Sequence, residues 1–559
     1  MSDDAGTWPG DRARRNDSGT AGVGYADGVI GQLLAGATRL YPVPRVSVAA
    51  LLVAGVVLGV VGDALLRAPG PPALNLSLWI ASVAVAALVL HRRAALALDL
   101  ERVTWLLIGV AFAAGLAWRD APPLKLLALA CATLAFALGA HRLDASWVRR
   151  AGVLRYAGAL ALGALHAWTA TGLAFLDAMP STRPMEGGRA SGWNGAVAVL
   201  RGLAIATPLV LIFGALFMSA DAVFAELVAN VFRFDFEQIA SHIVLFSIAA
   251  WLSTGYLRGF LTGTELPSLG DRPPATEGHG RLASQRPSLG ITEVATALAV
   301  IDLLFLVFVI VQFRYLFGGD TLVQVTPDLT YADYARRGFF ELVFAVVLVV
   351  PILLAADWLL DRRIRRDDVM FRGVAGAQIG LVLAITASAL QRLRLYHASY
   401  GLTESRFYAL VLLIWMGVML LWLAATVLRG RRSSFAFGAL ASGLVTVALL
   451  LVVNPAAVVA RTNVARITTG APLRFDIAYA KSLSADAVPV LIDALPLLSP
   501  EQRCPLARNM LRRWPPSRAA SLRTWNWAAS GASNAVREHE AALRSMVGPD
   551  LTCAAPTAR

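Results

Sequence analysis

Twelve apolar runs, each about 16 to 24 residues long, divide the chain and leave it few possible folds. They are Val46–Leu66, Leu74–Leu90, Val103–Trp118, Leu124–Ala140, Val153–Leu176, Val197–Met218, Ile239–Leu261, Val294–Leu316, Phe339–Leu360, Val374–Leu390, Tyr408–Leu428 and Phe435–Val453. A helix rises about 1.5 Å per residue, so roughly 20 residues cross the hydrocarbon of a bilayer. Lipid offers nothing to an unpaired backbone N–H or C=O, and a helix pairs its own. A membrane β-barrel would show alternating segments of about ten residues, and none appear. The fold expected is therefore all-α: a polytopic transmembrane bundle of about 12 to 13 spans with a small C-terminal helical domain.

Only 16% of residues are charged, against about 25% in soluble domains, which agrees with lipid as the main solvent. Lys125 and Lys481 are the only lysines among the basic residues; the rest are arginine. The net charge of +13 does not read as a nucleic-acid surface, because the arginines sit between apolar runs and form no basic stripe. They read as loop anchors that mark the cytoplasmic side.

Arg92, Arg93 and Arg102 mark one such loop, and Arg142, Arg149 and Arg150 a second. Arg362, Arg363, Arg365, Arg366 and Arg372 mark a third, and Arg429, Arg431 and Arg432 a fourth. The first two loops put the N-terminus inside. Twelve crossings from there would put the five-arginine loop outside, so the two halves conflict in parity. One further crossing or re-entry at Asp221–Phe236 would remove the conflict, and the C-terminus would then lie outside.

The expected domains are a disordered cytoplasmic tail (1–45), a first membrane half (46–261), a flexible linker (262–290), a second membrane half (291–453) and a C-terminal helical domain (454–559). The tail is rich in Gly, Asp, Arg and Ser and has no signal-peptide core. The linker is rich in Pro, Gly and charge. The string SADAV occurs at Ser219–Val223 and Ser484–Val488, which reads as two helix starts, each with a Ser cap and Asp in the first turn.

No phosphate loop, zinc-protease, hydrolase-elbow or dinucleotide motif is present, and no Cys/His spacing fits a metal. No cofactor is expected. Candidate polar chemistry lies elsewhere. Asp302 sits well inside the eighth run, where a carboxylate costs roughly 2.5–3.5 kcal/mol on insertion scales, so it should find a partner on another span. It serves either as an ion or proton site or as an interhelical hydrogen bond.

Three run ends should converge on the outer face: those near Arg314, near Arg394, and after Asn454. With the start of the ninth run they offer Arg314, Arg394, Arg406 and Arg466 beside Glu341, His397 and Glu404. This is either a structural ion-pair network or a site for an anionic headgroup or small molecule. Cys504 and Cys553 are the only cysteines outside the runs. An outside C-terminus would let them pair; a cytoplasmic or frayed tail would leave both free.

The strings YLFGG, TYADYARRGFFELV, LYHASYGLTESRFYAL, NPAAVVARTNVAR and FDIAYAKSLSADAVPVL occur in this order. In that order the chain resembles a bacterial domain-of-unknown-function family of multi-pass membrane proteins, of the four-one-seven-three or four-one-five-three type. The resemblance runs from about Ala190 to Asn526, with Trp525–Asn526 as a late feature, and the first five runs match nothing. It implies residence in the bacterial cytoplasmic membrane and supplies no catalytic residues. Three functions compete: a structural or signalling component of the cell envelope, an ion-coupled or small-molecule transporter, and a membrane enzyme acting on a lipid-linked substrate. An enzyme would use Glu341, His397 and Glu404 as acid and base.

Overall fold

Eleven of the twelve runs appear as helices in a computed structural model. The structure describes residues 48–67, 70–96, 99–141, 152–177, parts of 210–221, 236–262, 289–317, 339–360, 365–431, 433–468, 475–515, 521–547, 551 and 553. The N-terminal tail, most of the sixth run, the Asp221–Phe236 segment and the linker expected at 262–290 fall almost wholly outside these.

The first membrane group contains α1 (Val48–Leu66), α2 (Leu74–Arg93), α3 (Leu100–Trp118), α4 (Pro122–Ala140), α5 (Val153–Asp177) and α6 (Phe236–Thr262). The second contains α7 (Ile291–Phe317), α8 (Phe339–Leu359), α9 (Arg365–Tyr400), α10 (Glu404–Thr426) and α11 (Ser433–Val453). Nine helices among the described residues are long and apolar enough to cross a membrane. α5 and α8 run between the same two levels. This is a multi-pass membrane protein.

Small residues set the approach of α1 to α6. Gly55, Gly59 and Gly62 line the face of α1 that meets α6, and a Cβ at any of them would collide with Thr254, Phe246 or Ala249. Such small-residue stripes let helices approach in lipid, where no hydrophobic force drives them together. The pair is tied near one end by Asp63, which takes Arg67 Nη2 at 2.6 Å and pairs with His242 Nδ1 at 2.7 Å. At the other end, buried Arg102 of α3 donates to the carbonyls of Gly139 and Phe260 and lies over the Phe260 ring, 4.1 Å from its centroid.

These contacts order the helices. Arg102, His91, Gly139 and Phe260 share one level, which carries Arg92, Arg93, Arg365, Arg366, Arg372, Arg429 and Arg431 at helix ends. Leu289 at the head of α7 donates its N–H to Leu359 O, so α7 starts and α8 ends at this arginine level. The opposite ends form a junction level.

α5 leaves the arginine level, where His141 Nε2 lies 2.8 Å from Ala159 O. It then runs antiparallel to α6, with Thr171 Oγ1 donating to Trp251 O. It therefore ends at the junction level, where α6 begins. The described helices of both halves keep one sidedness, in which α1 starts at the arginine level and α11 ends at the junction level; the further crossing expected at Asp221–Phe236 lies almost wholly outside the described residues.

Further helices continue from the junction level: α12 (Pro455–Thr468), α13 (Ile477–Ser482), α14 (Val488–Ala494), α15 (Pro500–Arg513), α16 (Trp527–Glu538) and α17 (Glu540–Ser545). The chain turns from α11 into α12 at Asn454, whose φ of +60° suits the short polar side chain of Asn, followed by Pro455 at the first helical position. Val459, Leu491, Leu506, Met510, Val536 and Leu543 share a core that includes α12. Cys504 of α15 is disulfide-bonded to Cys553, with Cα atoms 5.8 Å apart. The bond closes a loop of 49 residues, worth about 4 kcal/mol at most by chain entropy. Denatured, unreduced protein should therefore expose one reactive thiol, that of buried Cys131, and three after reduction. Three thiols before reduction would show that the bond does not form.

Candidate functional site

The junction is held together by helix ends and the groups that satisfy them. The last four carbonyls of a helix have no partner within it, and the helix dipole makes that end negative. Arg119, just past α3, gives Nε to Leu451 O at 2.7 Å and Nη2 to Val452 O at 3.3 Å, and so caps α11. Asn526 caps α3 in turn, with Nδ2 donating to Leu116 O at 3.0 Å and to Arg119 O at 2.9 Å.

Two carboxylates complete the joint. Asp486 accepts the backbone N–H of Asp120 at 2.7 Å and Nη1 of Arg119 at 3.3 Å. Asp120 accepts the backbone N–H of Ala485 at 3.4 Å and Nζ of Lys125 at 3.0 Å. Each aspartate thus serves the other's segment. The second SADAV string does open a short helix, with Ser484 as its N-cap residue. Its Asp486, however, reaches across to the α3–α4 turn. The first SADAV string lies largely outside the described residues.

Beside this joint lies a cavity of about 240 Å3 between the α9–α10 turn, α12 and α13. Arg406, Arg466, Asn463 and Tyr479 line its polar side. Asn463 binds both backbone groups of Leu402, accepting its N–H at 2.8 Å and donating to its carbonyl at 2.7 Å. Gly401 holds φ of +78°, and a Cβ there would press on Asn463 Oδ1. Arg406 donates to Gly401 O and lies over the Tyr396 ring, 3.8 Å from its centroid. Arg466 donates to His397 O at 3.2 Å. Tyr479 Oη accepts the backbone N–H of Glu404 at 2.6 Å. Burial, more than any other influence, pushes the Tyr479 hydroxyl up to about 12, so it keeps its proton.

The expected polar residues therefore divide. Arg406 and Arg466 meet at the cavity, and His397 contributes its backbone carbonyl. Glu404 opens α10 but makes no ion pair among the described residues; its Oε1 is buried without a hydrogen-bond partner, and its electrostatic neighbours include Asp486, Tyr408 and Tyr479. Arg394 is exposed on α9. Asp302 is half-buried within unbroken α7, away from the cavity lining, with Oδ1 lacking a hydrogen-bond partner. Arg314 lies on the last turns of α7 and Glu341 on the first turn of α8; their side chains are outside the described residues. No group of three metal-ligating side chains occurs among the described residues.

The sequence reading passed over Arg119, Asp120, Asn463 and Tyr479. One signal was available: Arg119-Asp120-Ala121-Pro122-Pro123 is a charged, rigid turn too short to be a solvated loop.

A family model for a domain of unknown function, DUF4153, matches residues 106–494. The chain belongs to that family. The match starts well before Ala190, so the fourth and fifth runs and most of the third, with Arg119 and Asp120, fall inside it. Both aspartates of the joint are thus within the DUF4153 region, whereas Asn526 lies beyond its end. No curated protein and no solved structure is significantly similar to the chain.

Burial holds the Asp486 carboxyl above its ordinary 3.8, opposed by the Asp120 N–H and by Arg119. A raised folded value means that the folded state binds the proton more tightly. That contribution is complete below 3.8 and is lost as pH rises through the folded value. Thermal stability should fall across this window, and Asp486→Asn should flatten the fall. Arg119→Ala should cost about 3–5 kcal/mol, because it strands a buried carboxylate. Thermal unfolding followed against pH checks both; an unchanged profile in Asp486→Asn would remove this role.

Proposed function

We propose that this DUF4153 protein is a structural or signalling component of the bacterial cell envelope. It resides in the cytoplasmic membrane and holds its C-terminal helices against the bundle on the outer side. The observation that carries this reading is the reciprocal joint of Asp120 and Asp486. It fixes the C-terminal helices at helix ends opposite those that carry the arginines, and arginine-rich ends face the cytoplasm. The disulfide supports the same side, since disulfides persist in oxidising compartments. The joint couples any displacement of the C-terminal helices to the ends of α3 and α11, as a signalling or scaffolding role requires.

An alkaline-phosphatase fusion after Arg559 should be active and a fluorescent-protein fusion there dark; the reverse pattern overturns the sidedness. Asp486→Ala should loosen the C-terminal helices, giving protease cleavage within them in spheroplasts while the bundle stays intact. Equal resistance in wild type and variant would count against mechanical coupling.

Transport is the second reading, favoured by the Asp302 carboxylate within a span. Unbroken α7 lacks the interrupted helices often found at transporter binding sites. If transport is the activity, Asp302→Asn should leave folding intact and abolish ion-coupled uptake in proteoliposomes. Unaltered uptake would remove Asp302 from that role. A lipid-linked enzyme has less support, because neither Glu404 nor His397 lines the cavity.

A further inference from the structure

We infer that the cavity between the α9–α10 turn, α12 and α13 binds a phosphate group, presented by an anionic lipid headgroup or by a soluble phosphate. The inference deepens the reading above by giving the junction a ligand. It rests on that reading only for which leaflet supplies the lipid.

The first argument is the supply of donors. Arg406 gives one N–H to Gly401 O, is oriented by the Tyr396 ring, and meets no carboxylate among the described residues. The remainder of its guanidinium, lining the cavity, is a fixed cation with donors to spare. Tyr479 Oη already accepts a hydrogen bond from Glu404 N–H, and its own proton remains to be given. Arg466 adds a second cation to the lining. Planar guanidinium forks match phosphate oxygens two at a time. One carboxylate, Asp476, also lines the space; its Oδ1 takes the Tyr479 N–H at 2.9 Å and caps α13.

The second argument is size and surroundings. About 240 Å3 is smaller than the roughly 300–1,000 Å3 of drug-sized ligand pockets, and suits a headgroup better than a whole lipid. Leu402, Ile467 and Phe475 form the apolar wall. The cavity sits where membrane helices α9 and α10 end, within reach of headgroups. An acyl chain would stay in the bilayer while the phosphate entered.

The third argument is rigidity. Asn463 clamps both backbone groups of Leu402, and Arg406 is stacked and hydrogen-bonded. The donors are held in place before any ligand arrives, which lowers the ordering cost of binding.

The test uses full-length protein in a neutral detergent, with unfolding read by a dye that reacts with Cys131 when that buried thiol is exposed. The probes are phosphatidylglycerol, phosphatidylcholine and inorganic phosphate. Phosphatidylglycerol should raise Tm and phosphatidylcholine should not. Arg406→Gln and Arg466→Gln should each raise the half-saturating concentration about tenfold. Arg461→Gln, exposed on α12 and outside the cavity lining, should leave it unchanged. A shift with inorganic phosphate alone identifies a soluble source; a shift with phosphatidylglycerol alone identifies the lipid. No shift with either, an equal shift with phosphatidylcholine, or undiminished response in both variants overturns the site. If Arg406→Gln does not fold, Arg466→Gln decides. Because the purified protein has no orientation, failure of the fusion experiments would leave this result standing, and the converse holds too.

Discussion

The exchange between Asp120 and Asp486 is the contact on which the junction depends. Each carboxylate accepts a backbone N–H from the other's segment, and each also meets a cation. Removing the Asp486 side chain leaves the Asp120 N–H and Arg119 without their acceptor, and removing Arg119 leaves the buried Asp486 carboxylate without its cation. The two aspartates are 366 residues apart, and their meeting brings the first membrane group against the C-terminal helices. Arg119 extends the joint to α11, and Asn526 extends it to α3.

The architecture was legible because lipid makes sequence simple. Long apolar runs have one solution in hydrocarbon, and arginine loops mark one side. The helix ends that flank the four arginine loops agree on that side once α5 and α6 are seen to meet the same level. Counting runs leaves the two halves in conflict, and the Asp221–Phe236 segment expected to resolve it lies almost wholly outside the described residues. The close approach of α1 to α6 was also written in the sequence, as Gly55-Val-Val-Leu-Gly59 followed by Gly62, but hydropathy alone does not register it. Glycine scores weakly on such scales; its importance lies in the side chain it lacks.

The candidate site was legible only in part, and for a physical reason. The sequence shows which polar residues lie near run ends, and it placed Arg406 and Arg466 on one face. It does not show what each will bind. Arginines near Glu341 and Glu404 invite an ion-pair network, yet Arg406 turns to the Gly401 carbonyl and Arg466 to that of His397, while Arg119 divides itself between the carbonyls of Leu451 and Val452 and the Asp486 carboxylate. Helix ends at a membrane surface explain this. Every span leaves carbonyls unpaired at its C-terminal end, where water is scarce and the dipole is negative. A guanidinium satisfies several of them and keeps its charge.

The same preference links structure to binding. An arginine paired with a carboxylate is neutralised and attracts little else, whereas one that gives a single N–H to a carbonyl, as Arg406 does, remains a cation with donors left over. A junction built by capping therefore accumulates positive potential as a by-product of satisfying helix ends. At the α9–α10 turn this potential faces a cavity that the packing of α12 and α13 leaves open. Glu404 makes no ion pair with Arg406 among the described residues; its carboxylate neighbours Asp486, Tyr408 and Tyr479, and its backbone N–H goes to Tyr479. The joint that fastens the C-terminal helices thus balances its two aspartates with Arg119 and Lys125, whereas the adjacent cavity sets Arg406 and Arg466 beside Asp476 at the ends of two membrane helices.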